Sequence, residues 1–183
     1  MSIDPLGHTL LAIARNAIKK EFGMEDPMLT PHPALTKLAA TFVTLTQKDQ
    51  LRGCIGSLEP SRPLAMDVAE NARAAAFRDP RFPPLRQGEL DKTRVEVSLL
   101  DTPEKLNFND EEDVLGQLRP GLDGLILNCG NHRATFLPQV WESLSTPQLF
   151  LQHLKLKAGL PLSFWSPNLT LSRYGVQKWK ESS

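Results

Sequence analysis

The segment Leu51-Arg52-Gly53-Cys54-Ile55-Gly56, called the hexapeptide below, carries the residues of this chain that are best suited to chemistry. A cysteine can attack an electrophile or bind a metal once it loses its proton, and a neighbouring guanidinium favours that thiolate form. If the segment is a β-strand, Arg52 and Cys54 lie on one face, because side chains alternate every two residues. Gly53 and Gly56 would allow another backbone or a ligand to approach closely. The same pattern also suits a buried, unreactive cysteine beside tight turns.

A second candidate is the segment Arg78-Asp79-Pro80-Arg81-Phe82-Pro83-Pro84, which we call the arginine–proline loop. Its three prolines exclude a regular helix or a central strand, and they stiffen a loop that could present Asp79 or Arg81 to a site. Alternatively, Asp79 ends the preceding helix and Arg81 pairs with it. Glu96 lies on the polar face of a predicted strand, where it could act as a general base, pair with an arginine, or stay solvated.

The sequence predicts neither a metal site nor an organic cofactor. Cys129 and His132 have a spacing that could supply two metal ligands across a turn, but no second pair of ligands accompanies them. The chain also lacks the glycine-rich motifs that hold phosphates and dinucleotides.

Hydrophobic periodicity and turn residues predict the elements that must position these groups. The predicted helices cover residues 6–22, 62–78 with Ser61 as N-cap, and 147–158, with further short helices after residue 109 and from residue 138. The predicted strands cover residues 40–46, 51–55, 93–100, 124–129, 133–137 and 169–176. Hairpins interrupted by helices, without regular βαβ alternation, indicate an α+β fold with a mainly antiparallel sheet flanked by helices.

Composition limits the class of protein. The 183 residues include 21 Lys plus Arg and 21 Asp plus Glu, so binding to nucleic acid or membrane through bulk charge is not expected. The charges are segregated, however: residues 71–86 are arginine-rich, 101–113 are acidic, and 143–180 contain no acidic residue. Two cysteines cannot form a disulfide framework, and no apolar run is long enough to span a bilayer. We therefore expect a soluble, cytoplasmic protein.

The order of the motifs resembles the AMMECR-type domain family. The hexapeptide matches the hallmark of that family, and other segments follow in the family's order: Phe42-Val43-Thr44-Leu45, Asn71-Ala72, Asp79-Pro80-Arg81-Phe82-Pro83-Pro84-Leu85, Glu96-Val97-Ser98, Gly121-Leu122-Asp123-Gly124, Phe136-Leu137-Pro138-Gln139-Val140 and Lys157-Ala158-Gly159-Leu160. These segments extend over residues 9–179, so residues 1–183 are interpreted as a single domain of this type. The compact length resembles the bacterial form, protein A of the AmmeMemoRadiSam gene sets.

The resemblance implies two unequal lobes, with both chain ends in the larger lobe and the hexapeptide lining a cleft between the lobes. It also implies a Memo-type protein and a radical-SAM protein as partners. It supplies no reaction, and fold alone does not identify one.

Three functions are therefore left open by the sequence. In the first, a thiol-dependent enzyme or enzyme component uses Cys54 as nucleophile or covalent carrier. Arg52 would stabilise the thiolate or an anionic substrate, and Asp79, Arg81 or Glu96 would position the partner groups. In the second, the chain is a non-catalytic protein-binding scaffold in which Arg52 and Gly53 shape the recognition surface and Cys54 is only small and buried. In the third, the basic C-terminal region and the arginine–proline loop bind RNA or a nucleotide, which the neutral overall charge does not favour.

Overall fold

The computed structural model describes residues 4–24 and 28–182. The α-helices of this part are α1 (Pro5–Lys20), α2 (Leu64–Phe77), α3 (Glu111–Gln117) and α4 (Pro147–Lys157). Its strands are β1 (Leu38–Ala39), β2 (Thr41–Gln47), β3 (Gln50–Gly56), β4 (Arg62–Pro63), β5 (Thr93–Leu100), β6 (Glu104–Lys105), β7 (Gly124–Cys129), β8 (His132–Phe136), β9 (Thr170–Tyr174) and β10 (Val176–Lys180). Among the helices in this part of the chain, none combines the length and apolar character needed to cross a membrane.

The chain divides into two compact units. The first runs to Leu100 and resumes at Gln177, and the second consists of Asp101–Val176. Each unit has its own four-stranded sheet and its own hydrophobic core.

In the first unit, α1 and α2 pack on one face of a sheet with the strand order β10-β5-β2-β3. The central strand β2 pairs antiparallel with both β3 and β5. Alternation places Val43, Leu45, Val95 and Val97 in the core, and all four are fully buried. The other face of this sheet therefore carries the intervening polar side chains of β2 and β5.

The second unit contains a sheet with the strand order β6-β9-β7-β8. Strands β7 and β8 form a hairpin that turns at Gly130, which has a positive φ of 59°. Helix α4 supplies the buried residues Phe150, Leu151 and Leu154. The ring of Phe150 stacks on Trp141 with a centroid separation of 3.9 Å.

The predicted α+β fold with antiparallel sheets flanked by helices is confirmed, and two of its details are wrong. The strand predicted over residues 169–176 is two strands, because the chain leaves the sheet of β9 at Gly175 and continues as β10 in the other sheet. Helix α2 is not capped by Ser61: it begins at Leu64, and the preceding Arg62–Pro63 pairs with β1 as a short strand.

Candidate functional site

Three side chains form a row across the face of the first sheet that is opposite the core. Thr44 pairs with Cys54 of β3 on one side and with Glu96 of β5 on the other. The Cys54 Sγ lies 3.3 Å from the Thr44 Oγ1. The strand register thus aligns a thiol, a hydroxyl and a carboxylate, and it adds Thr44, which the sequence did not single out.

Arg52 does not belong to this row, because the pairing of β2 with β3 contains a β-bulge. Leu45 pairs with Gly53 whereas the next residue, Thr46, pairs with Leu51, so Arg52 is an extra residue without a partner on β2. A bulge interrupts the two-residue alternation and redirects a side chain. The Arg52 guanidinium forms two hydrogen bonds to Glu89, from Nε to Oε1 at 3.1 Å and from Nη2 to Oε2 at 3.2 Å.

The expected pairing of Arg52 with the thiol is therefore wrong. By strand alternation, Gln47 lies on the same face of β2 as the core residues Val43 and Leu45. Its side chain donates a hydrogen bond to the same Glu89 oxygen at 3.2 Å, so Arg52 also points toward this face. The hydrogen bond from Arg52 is the main cause that lowers the pKa of Glu89 to about 2. Arg52 thus stabilises a carboxylate at the end of the sheet instead of a thiolate.

The two glycines of the hexapeptide are required by packing. A Cβ atom on Gly53 would lie 2.1 Å from the carbonyl oxygen of Ala75 in α2, so only glycine allows the helix to approach the strand this closely. A Cβ atom on Gly56 would lie 2.2 Å from the Phe42 ring. The close approach predicted from the glycines is thus made by the protein's own helix and by a phenyl ring.

The arginine–proline loop is held against the outer edge of β3 by the Asp79–Arg81 pair. The Asp79 carboxylate accepts hydrogen bonds from the Cys54 backbone N–H at 2.9 Å and from the Arg81 Nε and Nη2 at 3.0 and 2.8 Å. The Arg81 Nη2 also donates to the Cys54 carbonyl oxygen at 3.4 Å. Because β3 is an outer strand, these side chains take the place that a neighbouring strand would occupy at Cys54.

The two members of the pair differ in exposure. The Asp79 side chain is 2% exposed and the Arg81 side chain is 55% exposed. The hydrogen bonds from Arg81 hold the pKa of Asp79 well below its usual range, so the carboxylate stays charged at neutral pH. The interaction predicted between Asp79 and Arg81 therefore exists, and it leaves one side of the guanidinium facing solvent.

The Cys54 thiol is held in its protonated form. Burial is the largest influence and raises its pKa above the ordinary value, and the carboxylates of Asp79 and Glu96 add to the rise. The Thr44 hydroxyl and the Arg81 guanidinium lower the pKa by less. No histidine or lysine is among the groups that influence this thiol in the described part of the chain.

A buried polar network at the end of the hexapeptide was not predicted from the sequence. The Asp67 carboxylate of α2 is fully buried and accepts hydrogen bonds from the Thr41 N–H at 2.8 Å, the Ser57 hydroxyl at 2.7 Å and the Arg62 Nε at 2.7 Å. Asn71, one helical turn later, donates to the Thr41 carbonyl oxygen at 3.0 Å. The sequence does contain a signal for this network, because Asp67 and Asn71 lie four residues apart on the alanine-rich face of a helix. If that face is buried, such polar residues must be paired.

The second cysteine lies outside this site. Cys129 pairs with His132 across the β7–β8 hairpin, and the His132 Nδ1 lies 2.8 Å from the Ala158 carbonyl oxygen. Among the described residues, no group of three or more His, Cys, Asp or Glu side chains could hold a metal ion.

Comparisons with known proteins match nearly the whole chain. The model of the AMMECR1 family matches residues 11–179. A protein of Methanothermobacter thermautotrophicus is 39% identical over 96% of this chain and 94% of its own length. A protein of Methanopyrus kandleri is 36% identical over 96% of this chain and 88% of its own length. The crystal structure of an uncharacterized protein from Pyrococcus horikoshii superposes with a TM-score of 0.86 at 34% identity, covering 98% of this chain and 93% of that one.

Proposed function

This chain belongs to the AMMECR1 family, and we propose that it is a protein-binding module whose recognition surface is the outer edge of β3 with the arginine–proline loop. The observation that carries this proposal is the Asp79–Arg81 pair. It fixes the loop on β3 through hydrogen bonds to the backbone N–H and carbonyl oxygen of Cys54. A loop fixed in this way loses little conformational entropy when a partner binds.

Arg81 gives the surface its chemical character. Its Nε and Nη2 are used within the chain, whereas its Nη1 makes no hydrogen bond to any residue that the structure describes. A half-exposed guanidinium with a free donor suits a carboxylate or a main-chain carbonyl oxygen of a partner. Arginine is also among the residues that most often dominate binding energy in protein interfaces.

The environment of the thiol favours binding over catalysis. A cysteine nucleophile needs a lowered pKa or an adjacent base, and burial raises the pKa of Cys54. In a binding module, Cys54 needs only to be small and to hold the edge of β3 through its peptide group.

The partners that we propose are a Memo-type protein and a radical-SAM protein. This assignment rests on the resemblance of the sequence to protein A of the AmmeMemoRadiSam sets. The exposed Arg81 adds a requirement, because the partner must bring an acceptor group to the arginine–proline loop.

The test is a binding measurement with purified Memo-type and radical-SAM proteins from the same genome, by biolayer interferometry at protein concentrations up to about 10 μM. We expect Arg81→Ala to weaken the complex about tenfold or more and Cys54→Ser to leave it within about threefold. Arg133→Ala, which removes an exposed arginine from β8, is the control and should leave affinity unchanged. The proposal would be contradicted if neither protein formed a complex, or if Arg81→Ala and Arg133→Ala reduced the affinity equally.

A thiol-dependent enzyme is the second candidate, because Glu96 lies in the same row as Cys54. No other described residue forms a hydrogen bond to the Glu96 carboxylate, so its oxygens are available to a substrate. The cluster of Cys54, Thr44 and Glu96 is the part of the structure that such an enzyme would use.

A pH series of iodoacetamide labelling separates the two candidates. In a Cys129→Ser background only Cys54 can react, and a binding module should label slowly at pH 7 and gain reactivity only above about pH 9, since the pKa is raised. The same series on the unfolded chain in urea gives the reference rate. Rapid labelling of the folded protein that is independent of pH near 7 would instead support the enzyme.

A further inference from the structure

A groove lies at the opposite edge of the first sheet from β3, between α1 and the C-terminal strand β10. Its volume is about 780 Å³. Its walls include Leu11, Ala12, Asn16 and Lys19 of α1, with Lys178 and Trp179 of β10. Sites for small molecules typically measure about 300–1,000 Å³ and combine an apolar surface with a few polar groups.

The apolar surface of the groove is a tryptophan held in one orientation. The Trp179 indole lies so close to α1 that a Cβ atom on Gly7 would be 2.1 Å from the indole Cδ1. The indole Nε1 donates a hydrogen bond to the Asp4 carboxylate at 2.8 Å. A flat aromatic surface whose five-membered ring is held in place suits a flat apolar group of a ligand.

The charged surface of the groove is mainly basic. Lys19, Lys178 and Lys180 line it, and the last two are exposed. Lys180 also forms an ion pair with the Asp49 carboxylate at 3.5 Å. Its carboxylates are already used, because Asp4 accepts from Trp179 and Glu181 pairs with Arg15. The acid-free C-terminal region of the sequence thus contributes lysines to one groove, which favours an anionic ligand.

From these observations we propose that the groove between α1 and β10 binds a small anionic molecule with a flat apolar part. The aromatic part lies against Trp179, and the carboxylate, sulfonate or phosphate faces the lysines. This site is independent of the recognition surface at β3, so the failure of one proposal does not affect the other.

The test uses the full chain and two fluorescent probes that differ mainly in charge. Anilinonaphthalene sulfonate is anionic and aromatic, and N-phenyl-1-naphthylamine is its uncharged counterpart. We expect one molecule of the anionic probe to bind in the micromolar range, and Lys19→Glu to weaken it at least about fivefold. Lys37→Glu makes the same change in net charge at an exposed position outside the groove and should have no effect. The uncharged probe should bind more weakly and should not distinguish the two variants.

A second measurement locates the probe. In a ¹H–¹⁵N spectrum, the Trp179 indole signal should shift on addition of the anionic probe, while the indole signals of Trp141 and Trp165 should not. Equal weakening by Lys19→Glu and Lys37→Glu, equal affinity for the two probes, or an unshifted Trp179 signal would overturn the proposal.

Discussion

The peptide group and the side chain of Cys54 have different environments. The backbone N–H of Cys54 donates a hydrogen bond to Asp79, and its carbonyl oxygen accepts one from Arg81. The sulfur has the Thr44 hydroxyl as its polar neighbour at 3.3 Å. Side-chain groups that satisfy an outer strand prevent another strand from pairing there. At this position the fold therefore depends on the backbone of the cysteine more than on its thiol.

Replacing Asp79 with asparagine should show what the pair contributes. Asp79→Asn keeps an acceptor oxygen but removes the charge, so we expect the free energy of unfolding at pH 7 to fall by about 1–3 kcal/mol. Because the folded-state pKa of Asp79 is lowered, its contribution is present above the unfolded pKa of about 4 and is lost as the pH falls below it. The variant should therefore lose less stability than the wild type between pH 5 and pH 3.

Urea unfolding at several pH values measures this difference. Glu89, with its pKa lowered to about 2, retains its own acid dependence in both proteins. Asp91→Asn, at an exposed position, is the matched control and should follow the wild type. An Asp79→Asn protein with the same acid slope as the wild type would show that the charge of Asp79 does not stabilise the fold.

Hydrophobic periodicity predicted most of the helices and strands, and the errors arose where strand pairing decides the structure. The β5 prediction was correct in both bounds, because alternation over eight residues is a strong signal. The bulge at Arg52 could not be predicted, since it results from how β3 pairs with β2 and leaves no mark on the composition of either strand. The break at Gly175 was missed for the same reason, because only the three-dimensional pairing assigns β9 and β10 to different sheets.

The site was predicted to a similar degree. Cys54, Asp79, Arg81 and Glu96 were singled out by residue type, and the structure brings these four together. The predicted placement of Arg52 beside the thiol was wrong because it required unbroken alternation along β3. Glu89, its true partner, is 37 positions away in the sequence, and no local pattern relates the two residues.

The packing of β3 against α2 leads to a second prediction. Gly53→Ala places a methyl group 2.1 Å from a backbone oxygen of α2, so the strand and the helix must separate, and we expect a loss of about 2–3 kcal/mol. Gly88→Ala is the control, because nothing lies within 4 Å of its added Cβ atom. It should be neutral or slightly stabilising. Chemical denaturation of both variants provides the comparison, and equal stabilities would mean that β3 and α2 approach less closely than the structure indicates.

For the whole molecule, titratable groups limit stability at both ends of the pH range. In the first unit, hydrogen bonds from arginines stabilise the charged forms of Asp79 and Glu89. Their contribution to folding stability is therefore lost in acid. Tyr174, in the second unit, has its pKa raised to about 12 by burial, which makes the neutral phenol the favoured form. A plateau of stability should therefore lie between these two limits, and the raised pKa of Cys54 in the first unit adds to the alkaline one.

Ionisation of Tyr174 contributes to the alkaline limit of stability. Tyr174 is the sole tyrosine of the chain, and its hydroxyl donates to the Phe136 carbonyl oxygen at 3.1 Å and lies 2.9 Å from the Thr135 hydroxyl. Because its folded-state pKa is raised, its contribution is complete below the unfolded pKa of about 10 and is lost as the pH rises toward 12. By pH 11 the wild type should have lost about 1 kcal/mol that Tyr174→Phe does not lose.

Absorbance at 295 nm follows this ionisation directly, since no other tyrosine contributes. We expect the folded protein to titrate near pH 12, and unfolded protein in urea near pH 10. At pH 7, Tyr174→Phe should cost only about 1 kcal/mol for the lost hydrogen bonds. A midpoint near 10 in the folded protein would place the phenol in contact with solvent, and the alkaline limit would then have to arise from groups other than Tyr174.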